Sequence, residues 1–223
     1  MNLKEIIEFV KEKYEYYLKL YNSIDLDIRR FIGTSLSVIF GLLFMILKFV
    51  IGVATFSIVF MYSCIYAFLI IACKFIFIQH LYSAEDKKYK AYNIMALLLF
   101  LGAFAFNMSM LIRISSVRVE QRFHPLFAVI FSFYLIFSYV ISVYGLLDAK
   151  RQNDLLFTGL KIVSYSSFFM DLVLEQRLII GCLNITDKQI TFVNFTFGIS
   201  CGIAMALLSI SMFVYGIYYR KHI

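Results

Sequence analysis

Residues 31–82 read FIGTSLSVIFGLLFMILKFVIGVATFSIVFMYSCIYAFLIIACKFIFIQHLY, with no proline and no charged groups other than Lys48 and Lys74. As one helix this run would be ~78 Å long, against a hydrocarbon core of ~30 Å. It must therefore fold back on itself as two membrane spans. Lys48 and Gly52 mark the expected turn, giving spans near 31–48 and 54–80.

The rest of the chain extends the pattern. Further apolar runs cover 93–113, 126–146, 155–182 and 191–218, which makes six spans. Of 223 residues, 62% are hydrophobic and 16% charged, whereas soluble domains are nearer ~45–50% apolar and ~25% charged. In lipid every backbone polar group must be satisfied within its own segment, so the expected class is all-α, a polytopic integral membrane helical bundle. The first thirty residues are charged, so no cleavable signal peptide is expected, and the first span would serve as its own insertion signal.

Residues 1–22 differ in kind. Leu3, Ile7, Val10, Tyr14, Tyr17 and Tyr21 recur at helical spacing, and lysines and glutamates occupy the other faces. Residues 1–30 hold six basic and six acidic groups, so attraction to lipid is weak and a cytosolic amphipathic helix that contacts a protein partner is expected. Ser23 or Asp25 is placed to cap the helix that enters the membrane.

The net charge of +7 would suggest nucleic acid in a soluble protein, but here the charges lie at helix ends and in loops. With the N-terminus inside, the inner segments carry 13 Lys and Arg residues and the outer segments 5. That asymmetry predicts both termini in the cytosol, with six spans the even number this requires. The expected setting is a bacterial cell membrane. Partners expected are the bilayer, a homo-oligomer or other membrane subunits, and a cytosolic protein at residues 1–22; nucleic acid is not expected.

The fifth run contains FFMDLVLEQR, residues 168–177. A charged side chain near the bilayer centre costs at least ~2.5–3.5 kcal/mol, so such groups are paired, face a wet cavity, or serve a function. Lys161, Ser164, Asp171 and Glu175 fall on one helical face with Ser167 beside it, so this helix is expected to pack inside the bundle or to line a polar path. Asp171 and Glu175, one turn apart, suit a cation or proton site. At similar depth in the third run lie Arg113, the expected counter-charge, and Asn107. The competing reading is an ion pair that fixes helix packing. Lys74 and Lys161, each about a turn and a half from the inner end, can snorkel to the headgroups.

Small residues mark helix contacts: Gly198, Gly202 and Ala206 in the last span, and Gly33, Ser37 and Gly41 in the first. Ser57–Cys73 and Ser166–Cys182 match at seven of seventeen positions, which would suit an inverted repeat of three plus three helices. The cysteines form no C-x-x-C and the three histidines are scattered, so no metal or cofactor is expected, and no enzyme motif is present. The expected function is a small channel or transporter subunit with a polar fifth helix. The alternative is a non-catalytic membrane scaffold that oligomerises and recruits a partner through its N-terminal helix.

Overall fold

The computed structural model describes residues 23–54, 58–113, 125–181 and 187–221, together with Glu5, Glu8 and Lys11. Among the described residues there are six long helices: α1 (Leu26–Ala54), α2 (Ile58–His80), α3 (Glu85–Arg113), α4 (Pro125–Gln152), α5 (Leu155–Gly181) and α6 (Asp187–Lys221). All six are long and apolar enough to cross a membrane, so the chain is an integral membrane protein. Apart from Glu5, Glu8 and Lys11, the amphipathic helix expected over residues 1–22 lies outside the described residues.

The expected turn at Lys48 and Gly52 does not occur there. α1 runs on as helix to Ala54, and α2 begins at Ile58. Gly52 instead allows a close approach: a Cβ on it would stand 3.1 Å from Phe60 Cβ and 3.3 Å from the Met61 backbone nitrogen. α3, α4 and α6 outlast their apolar runs because polar ends such as Glu85–Lys90 and Lys150–Gln152 continue the helix beyond the apolar stretch.

Local chemistry sets the helix ends. Asp25 caps α1, its carboxylate accepting from the Asp27 backbone N–H at 2.8 Å and its carbonyl accepting from Arg29 at 3.0 Å. Asn153 adopts φ 52°, a left-handed conformation that asparagine tolerates, and so reverses the chain after α4. Asp154 then caps α5, accepting from the Phe157 N–H at 2.9 Å. We call the side of the bundle with this turn and residues 81–84 the near end, and the opposite side the far end.

α5 is the most buried helix and contacts α2, α3, α4 and α6. Its fully enclosed side chains include Leu156, Val163, Met170, Val173 and Leu174. The contacts have a partial internal symmetry. α1 lies on α2 as α4 lies on α5, α2 lies on α3 as α5 lies on α6, and α3 pairs with α6 as α2 pairs with α5. The α3–α5 contact breaks that pattern, having no α2–α6 counterpart of similar extent.

α3 and α6 run antiparallel along a seam of small residues. A Cβ on Gly198 would meet Met110 Sδ at 3.0 Å, Gly202 is covered by Asn107, and Ser209 donates to the Ala96 carbonyl at 2.8 Å. Gly159 of α5 is tighter still, since a Cβ there would lie 2.6 Å from the Tyr92 ring. Gly33 of α1, expected as a packing residue, has nothing within 4 Å of its Cβ position. These environments predict opposite outcomes in thermal unfolding of the detergent-solubilised protein. Gly159→Val should lower stability by about 1–3 kcal/mol through overpacking. Gly33→Ala should leave it unchanged or raise it by up to about 1 kcal/mol through helix propensity.

Candidate functional site

α1 packs along α2, and α4 packs along α5. Between α1 and α4, in front of α2 and α5, lies a cavity of about 900 Å³. It reaches from Leu26 and Asp148, both exposed at the near end, to buried Lys48 and Asp171 toward the far end. Lys161, Ser164, Ser167 and Asp171 all line it, so four of the polar residues singled out on α5 share one space.

The far end of the cavity is shut by charge. Lys48 Nζ lies 2.6 Å from Asp171 Oδ1, and the residues are 8% and 3% exposed respectively. Tyr134 of α4 donates to the second Asp171 oxygen at 3.5 Å, and its ring lies 4.9 Å from that of Phe44 on α1. The counter-charge of Asp171 is thus Lys48, not the expected Arg113. Arg113 is the last residue of α3, and its side chain lies outside the described residues. The distances favour Lys48 because α1 lies across the cavity from α5 and can place a long side chain against Asp171 near the far end.

Glu175 does not join this group. It accepts a short hydrogen bond from Ser132 of α4, and its other carboxylate oxygen is buried without a hydrogen-bond partner. Asn107 turns the opposite way, donating to the Ala103 carbonyl at 2.9 Å and covering Gly202 of α6. Arg177 is buried and reaches Met110 Sδ at 3.9 Å. Asp171, Glu175 and Asn107, expected in one cluster, thus meet different partners, and the Arg113 side chain expected with them lies outside the described residues.

At the near end a second set of charges ties α1 to the α4–α5 turn. Arg30 donates to Asp154 at 2.8 Å, to Asp27 at 3.0 Å and to Gln152 at 2.5 Å, and its guanidinium stacks 4.4 Å from the Phe157 ring centre. Asp154 divides its carboxylate, one oxygen capping α5 and the other holding Arg30.

Between these ties stand Lys74 and Lys161. Lys74 donates to Ser37 Oγ at 2.6 Å, and the Lys161 ammonium sits 4.9 Å from the Phe157 ring centre and against Gly145. Both were expected to snorkel, but they turn into the cavity instead. Gly33, Ser37 and Gly41, read as a packing stripe, form with Lys48 the α1 wall of this cavity. Ser138 and Ser142 of α4 line it as well. Sequence reasoning missed Lys48, Tyr134 and Tyr66, the last of which shares a 2.8 Å hydrogen bond with Ser166. The signal for Lys48 was its spacing, seven residues beyond Gly41 on the same helical face.

No family model matches the chain, and no curated protein or solved structure matches it either.

The ion pair predicts a marked non-additivity. Lys48→Met or Asp171→Leu alone leaves one charge buried and should cost about 3–5 kcal/mol, whereas the double variant should cost far less. Unfolding in detergent measures the cycle. Additive losses would mean that the two side chains are not coupled.

Proposed function

We propose that the protein is a small membrane transport protein, a channel or transporter subunit, whose solute path is the α1–α4 cavity. The supporting observation is a cavity of about 900 Å³ that carries charged and hydroxyl side chains, among apolar ones, deep into the bundle and ends at Lys48–Asp171. A space of this size is within the range of small-molecule sites. Both halves of the chain contribute two helices to it, α1 and α2 from one and α4 and α5 from the other. Inverted-repeat transporters place their sites at such a boundary. In this reading the structure represents the state closed at the far end, and separation of Lys48 from Asp171 opens it.

The charge balance of the cavity favours an anion over the cation or proton expected from the carboxylates alone. Arg29, Arg30, Lys48, Lys74 and Lys161 line it, against Asp148 and Asp171. With both termini cytosolic, as the Lys and Arg asymmetry indicates, the mouth faces the cytosol. Residues 1–22 would then reach a cytosolic partner, and the exposed apolar faces of α1 and α4 would meet lipid or further subunits.

The scaffold reading has one observation in its favour: Lys48 and Asp171 neutralise each other, as a purely structural pair would. Flux separates the two. Ser164→Phe places a ring inside the cavity without touching either charge tie. In proteoliposomes at matched incorporation, efflux of small anions should fall at least about tenfold in this variant, roughly 1.4 kcal/mol in barrier. Absence of flux from the wild type, or equal flux from both proteins, would favour the scaffold.

A further inference from the structure

Of the five basic groups that line the cavity, Lys48 is matched by Asp171, and Arg30 by Asp27 and Asp154. Lys74 and Lys161 are in no ion pair among the described residues. Both line the one cavity, Lys74 on the α1–α2 wall, where it donates to Ser37 Oγ, and Lys161 on the α4–α5 wall, over the Phe157 ring. Asp148, at the exposed mouth, is in no ion pair among the described residues, and its carboxylate accepts from Gln152 at 2.8 Å. Two like charges facing one space within a membrane span are unfavourable, and an anion between them relieves that cost.

The surroundings are suited to an oxyanion. Ser37 already holds Lys74, and Ser142, Ser164 and Ser167 bring further hydroxyls to the same space. Ser37 accepts from Lys74 and keeps its own O–H to donate, whereas Ser167 donates to the Ser164 carbonyl at 2.7 Å and must turn to reach a ligand. Ammonium groups make strong, short hydrogen bonds to phosphate oxygens. The sides of the cavity differ from its interior. Leu36 and Phe40 of α1 and Phe137 and Ile141 of α4 line it while remaining at least half exposed, so an apolar tail could leave between these helices into lipid.

We infer that Lys74 and Lys161 form the binding point for a phosphate group, carried on an amphiphile whose tail leaves between α1 and α4 or present as free phosphate. This rests on the transport reading for its purpose, but binding is measured without flux. The full chain, purified in dodecyl maltoside, is titrated with dodecyl phosphate, inorganic phosphate and dodecyltrimethylammonium, and binding is read by native mass spectrometry.

Dodecyl phosphate should bind saturably. Lys74→Met and Lys161→Met should each weaken it by about tenfold or more, the value of one charge-assisted hydrogen bond, whereas Lys87→Met on the exposed start of α3 should not. Displacement by inorganic phosphate identifies a soluble source, and its failure to displace identifies a lipid source; either supports the site. Equal binding of the cationic amphiphile, or binding unaffected by both lysine variants, overturns it.

Should the variants fail to accumulate, amine labelling of the wild type decides. Dodecyl phosphate or inorganic phosphate should protect Lys74 and Lys161 but not Lys87, and equal labelling throughout would overturn the site. Binding without flux would leave the site standing and remove the transport reading. Flux without phosphate binding would do the reverse.

Discussion

The Lys48–Asp171 ion pair is the contact on which the arrangement of α1 depends. Among the described residues α1 shares an extended surface with α2 alone, and much of its outer face, from Leu36 to Val53, is exposed apolar surface. Hydrophobic burial gives such a helix little reason to prefer one angle over another, because lipid tails are as apolar as its neighbours. Two polar ties fix it instead, Arg30 with Asp154 at the near end and Lys48 with Asp171 toward the far end. Both cross from α1 to α5 or its cap. Between them the helices need not touch, and the cavity fills that interval.

This explains why a charged pair persists where apolar residues would pack at less cost. Buried ion pairs contribute little net stability compared with apolar replacements, but they specify one partner geometry and can separate when water or a ligand takes over one charge. Burial is greatest along α5 and α3, where Val163, Tyr92 and Met95 are fully enclosed. α1 and α4 are the least buried of the six helices, and they flank the cavity on either side. A fixed core with two lightly held flanking helices has the mechanical division a gated path needs.

Much of the fold was legible from the sequence, because length and hydropathy dictate membrane spans almost without competition. Six apolar runs gave six helices, and the expected fifth span, 155–182, nearly coincides with α5. The polar content of FFMDLVLEQR placed this helix away from lipid, as its burial shows. What could not be read was which residues meet across helices. Lys48 looked like a turn because it interrupts an apolar run, yet an ion pair with a residue 123 positions away lets a lysine remain inside a helix. Gly33, Ser37 and Gly41 looked like a contact stripe because small residues serve equally to admit a neighbouring helix or to leave room for a cavity. Glu175 and Asp171, one turn apart, face different partners, since a turn of helix is enough to separate a cavity wall from the α4 interface.

The most direct test of this account is the reactivity of single cysteines with a charged, water-soluble thiol reagent, in a background lacking the four native cysteines. The account predicts that cysteines at Ser37, Ser164 and Ser167 react readily from the near end, while those at Phe133 and Leu207 on the lipid-facing surface do not. If all five positions are equally unreactive, the space between α1 and α4 is not a water-accessible cavity, and the central claim is wrong.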